Sequence, residues 1–203
     1  MTIVETERHG QVLIVRMNCP ERLNALNTEM REKLAETWTA FRHDRELEVA
    51  IFTGAGRAFC AGEDLKETLT TGVPGGTRIS IPNPFMDGTL EKPVIAAING
   101  FTMGGGFILM ERTDLRVAVP EAVFEVSEAK RWLLGGYNHG HVANLPYPIA
   151  MEMALGFRFT AERFYQLGFI NRIAPQDDLI PTAMAMAEHL LSLPLPRAST
   201  PCT

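Results

Sequence analysis

An apolar segment, Val94-Ile-Ala-Ala-Ile98, led by Pro93 and closed by Asn99-Gly100, runs on into three consecutive glycines, Gly104, Gly105 and Gly106. A short run rich in β-branched residues and bounded by Pro and Gly reads as a buried strand. Glycines lack a Cβ, so they reach positive φ and let a ligand lie against bare peptide N–H groups. The apolar Phe107 to Met110 reads as the first turn of a helix, whose unsatisfied N–H groups and positive dipole end face the same spot. The segment therefore predicts a place where negative charge is held, either a phosphate or a transient oxyanion. A tight strand-to-helix packing turn would leave the same pattern.

Composition narrows the function classes. A chain of 203 residues with 46% hydrophobic residues suits one domain with a sizeable core. A net charge of −5 argues against nucleic-acid binding, which needs an excess of Lys and Arg. The apolar stretches fall short of a membrane span, and Glu5 and Glu7 stand where a signal or transit peptide needs basic residues. A cytoplasmic protein is expected. Cys19, Cys60 and Cys202 have no C-x-x-C spacing, so reduced thiols are expected, with neither disulfide nor metal site.

Strand and helix signals alternate, which favours the α/β class. Gln11 to Met17 reads as the first strand. Asn27 is a helix N-cap, and Met30, Leu34, Trp38 and Phe41 form one stripe of the helix behind it. Val49 to Thr53 is a second strand. After it, Cys60-Ala-Gly62 is another small-residue turn, with Glu63-Asp64 capping a short helix through Glu67. Thr68 to Asp87, rich in Gly and Pro, reads as a mobile loop. Beyond the glycines come a strand at Asp114 to Val119, a short extended piece at Val123-Phe124, and helices near Ile149 to Leu155 and Ala161 to Leu167. A last helix spans about Asp178 to Leu193, with Leu179, Ala183, Met186 and Leu190 inward. Residues 1–193 are expected to form one catalytic domain, with 194–203 a disordered Pro-rich tail.

Four segments in register carry a family resemblance: Asn18 to Asn27, Ala58-Phe-Cys-Ala-Gly-Glu-Asp-Leu-Lys66, Lys92 to Gly100 with the glycine turn, and Asp114-Leu-Arg-Val-Ala118. Together they resemble the crotonase, or enoyl-CoA hydratase/isomerase, superfamily, and the similarity runs on through Glu128, Ile149 to Leu155 and Gly168 to Arg172. The resemblance implies a spiral of repeated ββα units, assembled as a homotrimer or hexamer, that binds an acyl-CoA substrate. It implies no cofactor beyond the coenzyme A that the substrate carries. A thioester acidifies its α-carbon, so adding or removing a proton there passes through an enolate-like oxyanion that fixed N–H donors stabilise. By resemblance those donors are the N–H groups of Glu63 and Gly105. Glu63 stands where the family usually has a small residue, as a capping or a substrate-facing carboxylate.

Two carboxylates decide the reaction in the family's hydratases. Here the first position is Ile108, and the second falls at Glu128, the expected general acid/base. Glu111, one turn beyond Ile108, is expected to pair with Arg112, Arg116 or another neighbour. One base suffices to move a double bond between the β,γ and α,β positions, and water activation by one glutamate is a further route. Where hydratases commonly have Pro-Gly-Ala-Gly-Gly, this chain reads Gly135-Gly136-Tyr137-Asn138-His139-Gly140-His141. His139 could then serve as a second acid/base or a hydrolytic base, which would give a thioester hydrolase or carbon–carbon lyase. Trp132, where the family often has Gly, would reshape the acyl pocket.

For coenzyme A the resemblance points to Arg22 and Ala25, and to the turn Ala61, Gly62, Asp64, Leu65, Lys66, with Arg22 and Lys66 as phosphate partners; Gly104, Trp132 and Gly136 would line the acyl end. The chain stops at Thr203, before two helices that close the acyl pocket and build trimer contacts in the family. Either it is short by nature or its sequence continues, and the site is expected to be more open without them. Ile108 and this short end leave a non-catalytic acyl-CoA-binding paralogue as the reading from another class.

Overall fold

The computed structural model describes residues 2–72, 81–131 and 143–194. Its elements recur as strand, strand, helix. The first repeat is β1 (Val4–His9), β2 (Val12–Met17) and α1 (Thr28–His43), and the second is β3 (Val49–Gly54), β4 (Ala58–Cys60) and α2 (Leu65–Thr71). Next come β5 (Val94–Ile98), β6 (Phe101–Met103) and α3 (Gly105–Glu111), then β7 (Leu115–Ala118), β8 (Val123–Glu125), a 3-10 turn at Glu128–Arg131 and α4 (Tyr147–Ala154). The described chain ends through β9 (Phe159–Thr160), α5 (Ala161–Gln166), β10 (Arg172–Ile173) and α6 (Leu179–Ser192).

The two strands of a repeat go to different sheets. One sheet runs β1-β2-β3-β5-β7-β10 and the other β4-β6-β8-β9, so from the second repeat on each turn of chain advances both sheets by one strand. This is the expected α/β spiral of ββα units. Parallel pairing from β2 through β10 requires cover on both faces, and β3 and β5 are accordingly buried at every position. α6 packs across β3, β5 and β7. Its Leu179 and Ala183 are buried as expected, but Ala187 completes the buried stripe, with Met186 and Leu190 only partly covered.

Three local readings change. β1 was not expected, because its sequence is polar: only Val4 is buried, and an edge strand has one side to leave in water. α2 runs to Thr71 rather than Glu67, taking the start of the expected mobile loop. The end of that loop is anchored, since Phe85 is 3% exposed and stacks on Trp38 at 4.8 Å. Residues 73–80 of it lie outside the described residues, as do Trp132, Gly136, Tyr137, Asn138, His139, His141, Cys202 and 195–203 of the tail.

Two aromatic clusters hold the turns that matter. Trp38, Phe52, Phe59 and Phe85 meet edge-on or stacked between α1, β3 and β4. Phe107, Phe124, Phe159, Phe164 and Phe169 form the second, which grips the buried face of α3. Such rings bury large areas with fixed geometry, so each cluster pins one end of the site.

Candidate active site

The glycine turn and the turn after β4 abut. A Cβ placed on Gly105 would stand 3.8 Å from the Glu63 nitrogen, and one placed on Gly62 would stand 3.0 Å from the Gly105 nitrogen. Leu26 and Glu63 form a parallel bridge in which Leu26 N–H donates to the Gly62 carbonyl at 2.7 Å and Asp64 N–H to the Leu26 carbonyl at 3.3 Å. That pattern points the Glu63 N–H away from Leu26, toward the glycine side. Gly105 opens α3, where an N–H has no carbonyl four residues back. The two peptide donors named from the sequence thus come together.

The three glycines act by different physics, not by a shared freedom of φ. Gly104 alone is left-handed, at φ +47°. Gly106 is helical, and a Cβ there would lie 2.3 Å from the Cys60 carbonyl oxygen, so its bareness lets α3 lie on β4.

Glu128 comes to this place through the second sheet. β6 and β8 pair in parallel, with Thr102 opposite Phe124 and Met103 opposite Glu125, and Gly104 N–H donates to the Glu125 carbonyl at 2.9 Å. The Glu128 carboxylate then lies over the turn, its Oε1 3.3 Å from a Cβ placed on Gly104. Its Oε2 is buried and accepts no hydrogen bond among the described residues. Ile108, one turn into α3, is half-buried, and its N–H reaches back to the Gly104 carbonyl. Arg116 Nη2 meets Glu111 at its main-chain carbonyl, at 3.2 Å, which is a backbone bond rather than the expected carboxylate salt bridge. Arg116 also serves the Met110, Thr113 and Phe169 carbonyls, and burial pushes it down to about 10, with Asp114 and Glu111 opposing.

The two segments expected to hold coenzyme A lie side by side: Ala61 N–H donates to the Leu23 carbonyl at 2.9 Å, next to the Leu26–Gly62 bond, and Ala25 sits between. α2 presents Leu65 and Leu69 to solvent, and the Lys66 side chain is exposed. Arg22, expected to meet a phosphate, is bonded to Asp64 Oδ2 at 2.8 Å. Asp64 is the N-cap of α2, accepting from Lys66 and Glu67 N–H groups. Burial would raise its carboxyl, but Arg22 and those N–H groups prevail and hold it below the ordinary range.

The capping role foreseen for Glu63 falls to its neighbour. Asp64 does the capping, and the Glu63 carboxylate turns to α1, where Arg31 Nη2 meets Oε2 at 2.5 Å and Thr68 Oγ1 donates to Oε1 at 3.3 Å. Arg31 also lines a cavity of about 230 Å³ with Leu26, Leu34, Met86 and Leu109, on the side of Gly105 that Leu26 touches. A larger one, about 490 Å³, lies between β10 and α6, lined by Leu115, Asn171, Arg172, Thr182, Met186 and His189.

Sequence reasoning missed Arg31, Glu125 and Asn24. Arg31 and Glu63 are 32 residues apart, and no periodicity links them. Buried Asn24 Nδ2 donates to the Ala55 and Ala58 carbonyls, bracing the loop between β3 and β4. Its place within the quoted Asn18 to Asn27 segment was the one available signal.

Residues 7–198 match the enoyl-CoA hydratase/isomerase family. The chain is 36% identical to the enoyl-CoA hydratase EchA19 of Mycobacterium tuberculosis, across 91% of this chain and 73% of that protein. It is 33% identical to the (E)-benzylidenesuccinyl-CoA hydratase of Thauera aromatica, across 93% and 76%. Among solved structures, that of the enoyl-CoA hydratase EchA1 from Mycobacterium marinum superposes with a TM-score of 0.86 at 34% identity, covering 95% of this chain and 77% of that one.

Proposed function

Because the chain belongs to the enoyl-CoA hydratase/isomerase family, we propose that it binds an enoyl-CoA thioester between its two abutting turns and shifts the double bond through an enolate, with Glu128 as the single acid/base. The observation that carries this reading is the Glu128 carboxylate, lying over Gly104 with one buried oxygen that has no partner among the described residues, while Ile108 offers no second carboxylate. Starting from a β,γ-enoyl-CoA, Glu128 takes a proton from the α-carbon. The electron pair spreads into a dienolate whose oxygen receives the Glu63 and Gly105 N–H groups, and Glu128 returns the proton at the γ-carbon. A proton leaves and a proton arrives, so one carboxylate completes the cycle.

The second reading is hydration of an α,β-enoyl-CoA. The relatives favour it, since their names are those of hydratases and of a carnitinyl-CoA dehydratase. Both readings place the enolate in the same hole. Arg22 and Lys66 flank the two segments expected to hold coenzyme A and are the proposed partners of its phosphates, with Arg22 already shared with Asp64.

The experiment is steady-state turnover of β,γ- and α,β-enoyl-CoA by the wild type and by Glu128→Gln. Isomerisation predicts conjugation of the β,γ-substrate and its loss in the variant; turnover of the α,β-substrate alone would move the assignment to hydration. Undiminished turnover in Glu128→Gln would remove Glu128 from the chemistry.

A further inference from the structure

The hole carries a charge that works against it. An enolate oxygen held by the Glu63 N–H lies within a side chain's length of the Glu63 carboxylate, and two like charges so close in a half-buried site repel. The structure shows what offsets this. Arg31, at the end of the first turn of α1, contacts Glu63 Oε2 at 2.5 Å, and the two side chains are only 23% and 27% exposed. Arg31 Nε is buried and has no hydrogen-bond partner among the described residues, so the guanidinium is held here by Glu63 rather than by a wider polar network. Asp87, the carboxylate on the wall of the cavity that Arg31 lines, accepts from Asn83 N–H at 3.2 Å within its own turn.

We propose that Arg31 is a positioning residue of the oxyanion hole, cancelling the negative charge that this chain carries on the hole's own donor residue. The inference rests on the enolate reading above and deepens it: Glu63 is tolerated at an oxyanion donor because Arg31 stands behind it. A simple tether of α1 to the turn would lose function when either end is cut. A charge screen loses function only when the arginine goes and the glutamate stays, and removing the glutamate as well then restores it.

Acetoacetyl-CoA is the probe, because its enolate absorbs in the near ultraviolet and forms without turnover. The pH at which the bound probe is half enolised is measured alongside kcat and KM on β,γ-enoyl-CoA, for wild type, Arg31→Met, Arg31→Lys and Arg31→Met/Glu63→Gln. Arg31→Met is expected to raise that pH by about one to two units and to lower kcat about 10- to 100-fold, with KM changed less than about threefold. The double variant is expected to recover most of both, and Arg31→Lys, which keeps the charge and guards against a folding defect, to stay closer to wild type. A double variant as impaired as Arg31→Met, or an Arg31→Met with the wild-type half-point, overturns the proposal alone. A wild type that binds the probe without easing its enolisation overturns the enolate reading, and this proposal with it.

Discussion

Glu125 and Glu128 stand three residues apart on the same segment and have opposite surroundings. The Glu125 carboxylate is 7% exposed and fully engaged, by Lys130 Nζ at 2.9 Å and Arg158 Nε at 2.6 Å. Burial would raise its pKa, but the two cations outweigh burial and hold it below the ordinary carboxylate range. Glu128 has a buried oxygen without a partner among the described residues and lies on a bare glycine. A saturated buried carboxylate has nothing left to give a substrate, so its contribution is to fix the segment. A buried carboxylate oxygen left unpaired costs free energy, and such a group calls for an explanation in what it is aimed at.

The largest effect that follows is at Glu128. Glu128→Gln keeps the shape and removes the base, and kcat is expected to fall about 10²- to 10⁴-fold. Its thermal midpoint should hold, because no hydrogen bond to the Glu128 Oε2 among the described residues is lost. Turnover and calorimetry on one preparation check both halves, and a loss of activity that merely follows a loss of fold would erase the contrast with Glu125.

Glu125→Gln should reverse the pattern. Losing two charge-assisted bonds from a buried acceptor is expected to cost about 1–3 kcal/mol of stability. The sign in pH follows from the lowered carboxyl: its stabilisation is present above the ordinary value of 4.5 and is lost as pH falls through the lower folded value. Denaturant titrations at successive pH values should show the wild type weakening below about pH 4.5 and the variant with a flatter acid limb. An unchanged acid limb in Glu125→Gln would break the claim that this glutamate is the structural one.

How far the sequence foretold this contrast depends on the length scale of each interaction. The strand into Gly104 to Gly106 and the Asn27 cap were legible because apolar periodicity and glycine runs are local signals, whereas the meeting of the two turns was expected only from the family resemblance. The split between the two glutamates was not, because Arg158 lies 33 residues from Glu125 and only the β8–β9 pairing brings them together. The same holds for Arg31 and Glu63, which were named as a departure without its remedy. β1 was missed for the reverse reason: an exposed edge strand, with only Val4 buried, lacks the apolar run that identifies a buried one.

A smaller effect tests the floor on which Glu128 rests. Gly104→Ala forces a side chain into φ +47° and sets its Cβ 3.3 Å from Glu128 Oε1. The strain is expected to cost about 1 kcal/mol. Displacement of the carboxylate should lower kcat about tenfold with KM little changed. Gly105 and Gly106 are poor sites for the same test, since a Cβ at either meets the opposing turn or β4 rather than the glutamate.

The smallest effect comes from a third carboxylate that repeats the Glu125 arrangement at the surface. Asp64 is 5% exposed and holds Arg22, yet it also caps α2 through two N–H groups, and Arg22 itself is half exposed. Arg22→Ala therefore leaves Asp64 with most of its partners, and stability is expected to change little. Substrate affinity decides whether Arg22 is spent on Asp64 or shared with a coenzyme A phosphate. A guanidinium committed to Asp64 predicts a KM change below about threefold on removal, whereas a phosphate contact predicts about tenfold or more, diminished by added salt. The first outcome would put Arg22 with Lys130 and Arg158 as a cation that holds a carboxylate in place; the second would make it the one cation of the three that also meets the substrate.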